Sequence, residues 1–146
     1  MTLRHRALNY LARREHSRAE LARKLAAHGD ADAIEFLLDQ LEQESLLSNS
    51  RYVDMLAHAR AGKHGSLRLK ADLREKGVVE SEMAEALEAA RDLDLAAARE
   101  VWQKKFGTLS SEIANSAAER ARQYRFLASR GFPSDVIRRV IGGLQD

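Results

Sequence analysis

The sequence contains no cysteine, which removes several kinds of site at once. A disulfide framework, a thiolate metal site and a cysteine nucleophile are all excluded, and a reducing cytosol is the natural environment. Long hydrophobic runs are also missing, because charged residues recur every few positions along the chain. A secretory signal or a membrane-spanning helix is therefore not expected. We predict a cytoplasmic protein that does not associate with membranes.

Proline and aromatic residues are scarce, with one proline, Pro133, and aromatics at 5% of the 146 residues. Runs of β-branched residues are absent as well. Alanine, leucine, arginine and glutamate are abundant instead, and these residues favour helices because they lose little rotamer freedom there. The composition predicts an all-α fold without a sheet.

The motifs that mark common active sites are missing too. No G-x-S-x-G, Walker-type loop or G-x-G-x-x-G occurs, and no two of the five histidines have the helical spacing of a zinc site. The histidines are predicted to be solvated surface residues. We therefore expect a non-enzymatic protein with no catalytic residues, no metal and no cofactor.

What the sequence does contain is an internal repeat. A segment of the form Leu-x-x-x-Leu-x-x-x-Gly ends at Gly29 and again at Gly77, and a third copy that begins with Gln123 ends at Gly131. Glycine permits the left-handed conformation that ends a helix, and an amphipathic pattern both precedes and follows each segment. The pattern predicts nine helices in three three-helix repeats, at approximately 1–47, 48–91 and 92–146.

A three-helix unit of this size buries its apolar faces poorly by itself, so neighbouring repeats are expected to share a core. We predict one all-helical domain over residues 1–146, elongated and curved like a solenoid. Helix-start signals agree with the repeat. The predicted signals are a capping box of Ser17 and Glu20, caps at Ser66 and Ser111, and Pro133-Ser134 at the last helix; the third repeat is predicted to begin with a helix over Leu95–Phe106.

The net charge of +2 conceals alternating basic and acidic blocks. Equivalent positions carry cations: Arg68 matches Arg122, and Lys76 matches Arg130 just before the glycine. Cations before the glycine are also favoured by the helix dipole, and a merely solvated basic face is an equal alternative. The predicted partner-binding residues are Arg60, Lys63, Arg68, Lys70, Arg74, Lys76, Arg122, Arg125 and Arg130, which suit phosphates or an acidic protein surface.

Aromatic side chains offer stacking platforms for single-stranded nucleic acid, but their spacing among leucine and alanine favours core packing. Trp102 and Phe106, four residues apart, are predicted to form one packed stripe. The other candidates treated in the same way are Tyr52, Tyr124 and Phe126.

Several segments resemble the RecX family. They are residues 14–21 (Arg-Glu-His-Ser-Arg-Ala-Glu-Leu), 46–52 (Leu-Leu-Ser-Asn-Ser-Arg-Tyr), 73–78 (Leu-Arg-Glu-Lys-Gly-Val), 104–107 (Lys-Lys-Phe-Gly) and 119–132, and their order covers nearly the whole chain. Two positions depart from the family pattern. Ser45 stands where the family has glycine, and Leu67 where a proline often follows glycine, so the local turns are expected to differ.

The resemblance implies a non-enzymatic regulator that binds RecA assembled on DNA and limits its recombinase and ATPase activities. We expect a monomer whose basic face bridges RecA protomers and lies near the DNA. A winged-helix DNA-binding regulator is the alternative, because residues 17–47 also fit helix, turn, helix. The wing is missing, since residues 48–63 have a helical pattern. An enzyme and a plain helical scaffold are the remaining alternatives.

Overall fold

Helices account for nearly all of the regular structure. The computed structural model describes residues 1–142, which contain nine α-helices, one short 3₁₀ turn and no strand. The helices are α1 (Leu3–Arg13), α2 (Arg18–Leu25), α3 (Ala31–Gln43), α4 (Asn49–Arg60), α5 (Ser66–Glu75), α6 (Glu80–Phe106), α7 (Ser111–Ala114), α8 (Ala117–Ser129) and α9 (Ser134–Gly142). The all-α class is confirmed, and the last four residues of the third predicted repeat lie outside the described range.

The chain forms two compact units. The first unit comprises Met1–Leu56 and Asp72–Ala84, and the second comprises Ala57–Ala71 and Glu85–Asp146. Leucines of α2 and α3 dominate the core of the first unit, whereas Phe132, Leu127 and the apolar face of α9 dominate the core of the second. Helices α4, α5 and α6 each have residues in both units.

Three helices end with the same hydrogen-bond pattern, a Schellman motif. After α5, Val78 N–H donates to the carbonyl of Leu73, and Gly77 has a left-handed φ of 78°. The motif recurs at Gly131 after α8 and at Ser45 after α3, where φ is 86° and 61°. The serine that departs from the family pattern therefore occupies a backbone position suited to glycine.

Gly29, the first of the three repeated glycines, is not left-handed. A 3₁₀ turn over Ala26–His28 follows α2, and Gly29 is extended with a φ of −171°. A side chain there would crowd Leu3, because a Cβ at Gly29 would lie 3.2 Å from the Leu3 Cδ2. The glycine in the first copy therefore serves close packing, and the second and third copies use glycine for backbone conformation.

Helix α6 corrects two expectations. The third helix of the second repeat and the first helix of the third repeat, predicted separately, form this one helix of 27 residues. The residues around the expected break at 91–92 include neither glycine nor proline, so nothing there ends the helix. Ser111 was predicted to cap the next long helix but lies in the short helix α7, and the Ser116 hydroxyl caps α8 instead, accepting from Glu119 N–H at 3.3 Å.

The predicted cap at Ser17 is confirmed. Its hydroxyl accepts a hydrogen bond from Glu20 N–H at 3.1 Å. The Glu20 carboxylate, expected to complete the capping box, pairs with Arg14 instead, at 2.6 Å between Oε2 and Nη2. Burial opposes the charged form of Glu20, but the hydrogen bond and charge of Arg14 outweigh it and keep the pKa of Glu20 below its ordinary value.

The second helices of successive repeats meet end to end within each unit. In the first unit the start of α2 contacts the end of α5, and in the second unit the start of α5 contacts the end of α8. In the first unit, the Ser17 hydroxyl donates to the Lys76 carbonyl at 2.7 Å, and Arg18 N–H donates to Asn49 Oδ1 at 2.8 Å. These contacts satisfy backbone groups that a helix end leaves without partners.

The second unit repeats this junction at equivalent positions. Gly65 N–H donates to the Arg130 carbonyl at 2.8 Å, and Ser66 N–H donates to Asp94 Oδ1 at 2.9 Å. The approach leaves no room for a side chain, because a Cβ at Gly65 would lie 2.4 Å from the Gly131 carbonyl oxygen. Ser66 is thus the first residue of α5, and Asp94 of α6 accepts its N–H, in place of the predicted serine cap.

The left-handed serine leads to a stability prediction. A left-handed backbone costs a residue with a Cβ about 1–2 kcal/mol, and the greater freedom of glycine in the unfolded chain offsets roughly 0.5–1 kcal/mol of any gain. Ser45→Gly is therefore expected to raise the free energy of unfolding by up to about 1 kcal/mol in urea denaturation. As a control, Ser81→Gly, exposed in α6 with ordinary helical backbone, is expected to lower it; a gain of similar size in both variants would contradict the prediction.

The buried carboxylate at the second junction leads to another prediction. Asp94 is 2% exposed and also accepts from the Ser66 hydroxyl at 2.5 Å. Asp94→Asn keeps an acceptor, as Asn49 does in the first unit, so stability at pH 7 is expected to be unchanged or higher. Asp94→Ala leaves the Ser66 groups without partners and is expected to lose about 1–3 kcal/mol.

The pH dependence of stability provides a separate measurement. Burial raises the pKa of Asp94 above its ordinary value of 3.8, although its bonds to Ser66 act in the opposite direction. The folded state therefore binds this proton more tightly than the unfolded state, so Asp94 contributes a loss of stability as pH rises from about 3.8 through the raised pKa. Asp94→Asn should remove that loss, whereas Asp92→Asn, exposed on the same helix, should retain it. The prediction would be contradicted if the difference in free energy of unfolding between the wild type and Asp94→Asn did not change with pH.

Candidate protein and nucleic-acid interface

The nine predicted partner-binding cations do not form one cluster, because they belong to both units. Arg74 and Lys76 lie in the first unit. The other seven lie in the second unit: Arg60, Lys63, Arg68, Lys70, Arg122, Arg125 and Arg130. The dense basic stretch over residues 60–76 is therefore divided within α5.

Cations of the first unit are engaged in ion pairs. Arg74 pairs with Glu80, and the Lys76 ammonium lies 3.8 Å from Glu20 and 3.6 Å from Glu75. The same holds for further arginines of this unit, since Arg14 pairs with Glu20, Arg51 with Glu15, and Arg18 with Glu35, Asp39 and Glu42. These pairs account for Arg74 and Lys76 structurally, without a partner molecule.

In the second unit, the cations of the α4–α5 segment differ in exposure. Lys63 and Arg68 are exposed, and Arg60 and Lys70 are half-buried, with the Arg60 Nε shielded from solvent. The backbone of Arg68 lies against Gly131, because a Cβ at Gly131 would be 2.6 Å from Arg68 N. The second junction therefore brings Arg68 next to the segment that holds Arg130.

A cation–aromatic cluster, which we define as Lys105, Phe106, Arg122, Phe126 and Arg130, joins the end of α6 to α8. The two phenylalanine rings meet edge to face, with centroids 5.6 Å apart. The Arg122 guanidinium lies 5.6 Å from the Phe106 centroid, and Arg130 and Lys105 lie 5.0 Å and 5.1 Å from the Phe126 centroid. Cations held near a ring keep their charge at the surface while losing side-chain freedom in advance of binding.

The cluster contains one cation that is not among the predicted partner-binding residues. Lys105 stands in the Lys-Lys-Phe-Gly segment at 104–107, and that repeated charge before a phenylalanine was the available signal. Arg125, which was predicted, is exposed on α8 three residues after Arg122. Arg122 itself also pairs with Glu119 at 3.2 Å. The cluster and Arg125 together contain three of the nine predicted cations, Arg122, Arg125 and Arg130.

Core packing explains most of the aromatic residues. Tyr52 and Phe106 are 3% and 1% exposed, and Trp102 stacks on Phe106 with centroids 6.3 Å apart, as the predicted stripe requires. The Trp102 indole N–H also donates to Gln123 Oε1 at 3.0 Å. Tyr124 and Phe126 are half-buried. Of these rings, Phe126 is the one that combines partial exposure with neighbouring cations.

The two units carry net charges of opposite sign. The second unit has 14 Lys and Arg against nine Asp and Glu, a net charge of +5, and the first has ten against 13, a net charge of −3. The whole-chain value of +2 averages these opposite signs. A net positive field attracts phosphates and acidic protein surfaces, so the second unit is the better candidate for either.

One histidine contradicts the expectation of solvated surface residues. His16 is 1% exposed, its Nδ1 lies 3.1 Å from the Arg14 carbonyl oxygen, and its Nε2 lies 2.8 Å from the Lys24 ammonium. Burial lowers its pKa, so the neutral form is favoured. Its position between α1 and α2 makes it a packing residue beside Tyr10, with rings 5.9 Å apart.

Two other kinds of site are absent from residues 1–142. No group of three or more His, Asp or Glu side chains there is arranged to hold a metal ion. No helix in the same range is both long and apolar enough to cross a membrane. The segment in which a winged-helix protein would need its wing contains α4 and a turn in place of a β-hairpin.

Three family models match this chain in succession. They describe the first, second and third three-helix domains of RecX, and they match residues 4–41, 48–87 and 92–141. Curated relatives named "Regulatory protein RecX" agree along nearly the full length. The protein from Leptothrix cholodnii is 49% identical over 97% of this chain and 88% of its own, and that from Chromobacterium violaceum is 46% identical over 99% and 92%.

Solved structures show the same fold. The crystal structure of RecX from Lactobacillus salivarius matches with a TM-score of 0.81 at 21% identity, covering 98% of this chain and 94% of that one. Tandem three-helix domains and relatives named as regulatory proteins together define a class, that of helical-repeat regulatory proteins. Within this class, the chain belongs to the RecX family.

Proposed function

We propose that this protein is a negative regulator of RecA that binds RecA–DNA filaments and inhibits their recombinase and ATPase activities. It acts by binding and not by catalysis, in the cytoplasm where such filaments assemble. The observation that carries the proposal is membership of the RecX family, over all three domains. The charge of the second unit supports an interaction with an anionic assembly.

The contact surface we propose is the cation–aromatic cluster together with Arg125, Lys63 and Arg68. The charge distribution supports this choice, because first-unit cations are largely engaged in ion pairs and the second unit has a net charge of +5. Arginine suits such a surface, since its planar guanidinium donates two parallel hydrogen bonds to a carboxylate or phosphate. Phe126 and Phe106 restrain three of the cations, so less side-chain freedom is lost on binding.

This choice refines the site suggested by the sequence. Arg74 and Lys76 are engaged in ion pairs within the first unit, so neither is part of the contact surface we propose. Lys105 joins the proposed surface in their place. A protein bound through such a surface near the DNA obstructs strand exchange and growth of the filament.

A matched pair of variants tests this surface. The test variant carries Lys63→Gln, Arg68→Gln, Arg122→Gln and Arg125→Gln, and the control removes four first-unit charges through Arg6→Gln, Arg13→Gln, Arg23→Gln and Arg74→Gln. The loss of four contacts of roughly 0.5 kcal/mol each is expected to weaken binding by about 2 kcal/mol. The concentration for half-inhibition of RecA ATP hydrolysis on single-stranded DNA is therefore expected to rise more than about tenfold for the test variant.

The control should stay within about threefold of wild type, since it removes equal charge away from the proposed surface. Circular dichroism and thermal unfolding would verify that both variants are folded. Titration at several salt concentrations separates the partners, because each lost phosphate contact flattens the slope of log affinity against log salt by about 0.7 on single strands. Equal losses in the two variants would contradict the proposed surface, and wild-type protein that leaves ATP hydrolysis unchanged would contradict the function.

A further inference from the structure

A groove in the second unit lies outside the proposed RecA–DNA surface. It has a volume of about 450 Å³, and its lining residues are Arg120, Ala121, Tyr124, Arg138 and Ile141, from α8 and α9. Residues 120, 121 and 124 share one face of α8, residues 122 and 126 of the cation–aromatic cluster lie on the opposite face, and Arg125 of the proposed surface lies between them, beside Ala121. The groove is therefore a separate feature with an apolar floor between two arginines.

The two arginines retain their charge for a partner. Among the described residues, neither the Arg120 nor the Arg138 guanidinium makes an ion pair, in contrast to the arginines of the first unit. The apolar floor of the groove suits an aromatic or aliphatic side chain, and the two flanking guanidinium groups suit carboxylates beside that side chain.

The same chain presents such a side chain on α3 of the first unit. Phe36 is 66% exposed and is the only aromatic residue among the exposed large hydrophobic residues of the described chain. Asp32 precedes it by four residues and Asp39 follows it by three, so carboxylates lie one helical turn to either side, and Glu35 is adjacent. Arg18 pairs with Glu35, Asp39 and Glu42, but one guanidinium neutralises only part of this acidic face.

We propose that Phe36 of one copy of this protein docks in the α8–α9 groove of a second copy. The Phe36 ring would occupy the apolar floor, and the carboxylates beside it would meet Arg120 and Arg138. The opposite net charges of the two units, −3 and +5, favour this pairing of unlike surfaces over a symmetric contact. When one copy supplies Phe36 and the other supplies the groove, the pair leaves one groove and one Phe36 unoccupied, so further copies add head to tail.

The contact is weak. One aromatic side chain and a few exposed ion pairs correspond to a dissociation constant of about 0.1–1 mM, so the protein is monomeric when dilute, as the sequence analysis expects. Copies held side by side on one filament have a high effective concentration for each other, which makes a weak contact sufficient for cooperative binding. That consequence rests on the proposed function, whereas the association itself is tested on the isolated protein.

Sedimentation velocity of the purified protein without RecA or DNA tests the association. Between about 0.02 and 2 mM, the weight-average sedimentation coefficient of the wild type is expected to rise. Phe36→Ala and Arg138→Glu should each remain monomeric over the same range. An equimolar mixture of these two variants should form dimers only, because one supplies the groove and the other supplies Phe36. The control Leu93→Ala removes a similarly exposed apolar side chain, 59% exposed on α6, and should associate like the wild type.

The absence of cysteine allows a second test by cross-linking. Mixed Ala33→Cys and Ala121→Cys variants, in which Phe36 is kept and the new cysteine lies one helical turn before it, are expected to form a disulfide-linked dimer under mild oxidation, at least about fivefold faster than the pair Leu93→Cys and Ala121→Cys, because docking raises the local concentration. A sedimentation coefficient that stays constant to 2 mM, equal association of Phe36→Ala and wild type, or equal cross-linking of the two pairs would overturn the proposal. RecA inhibition in the matched-variant experiment is unaffected by any of these results, so the two proposals fail separately.

Discussion

The structure depends on one recurring interaction, the contact between the start of one helix and the end of the equivalent helix in the next repeat. It joins α2 to α5 in the first unit and α5 to α8 in the second. A helix end has carbonyls without partners, and here such a carbonyl accepts from the Ser17 hydroxyl in the first unit and from Gly65 N–H in the second. Ser17 on Lys76 and Gly65 on Arg130 are the two instances, one in each unit. Asn49 and Asp94 occupy equivalent places beside them and accept the following N–H groups.

The junctions also determine which residues the repeat tolerates. Gly65 and Gly131 meet where a Cβ would overlap backbone atoms, and a Cβ at Gly77 would lie 2.5 Å from that of Ala19. Three of the buried polar residues, Ser17, Ser66 and Asp94, follow from the same requirement, because each lies where a helix end needs hydrogen-bond partners. The junctions therefore account for these glycine and buried polar positions together.

The two units hold their cations in different surroundings. In the first unit, carboxylates from α3, α5 and the α1–α2 connection surround arginines and neutralise them. In the second unit, phenylalanine rings restrain Arg130 and Lys105 without cancelling their charge, and Arg122 combines a ring contact with an ion pair to Glu119. The filament binding that we propose would benefit from this difference, since charge remains available where side chains are already ordered.

Hydrophobic periodicity and turn chemistry by themselves determined the all-α class, the repeat and several helix ends, because these are local properties of the chain. Ser17 at α2 and Pro133-Ser134 at α9 are examples. The sequence did not predict that α6 is continuous. The equivalence of the repeats suggested two helices separated near residues 91–92, but no glycine or proline there ends the helix. Gly29 and His16 were misjudged because a close approach to Leu3 and burial against Tyr10 arise from packing between helices.

The candidate site shows the same division more sharply. The sequence determined which residues carry charge and, through the repeat, that Arg68 and Arg122 are equivalent. Tertiary structure alone decided which cations are neutralised, because ion pairs such as Arg18 with Glu35 and ring contacts such as Lys105 with Phe126 join residues far apart in the chain. Electrostatic energy depends on distance in space and on burial, and neither is a property of position in the sequence.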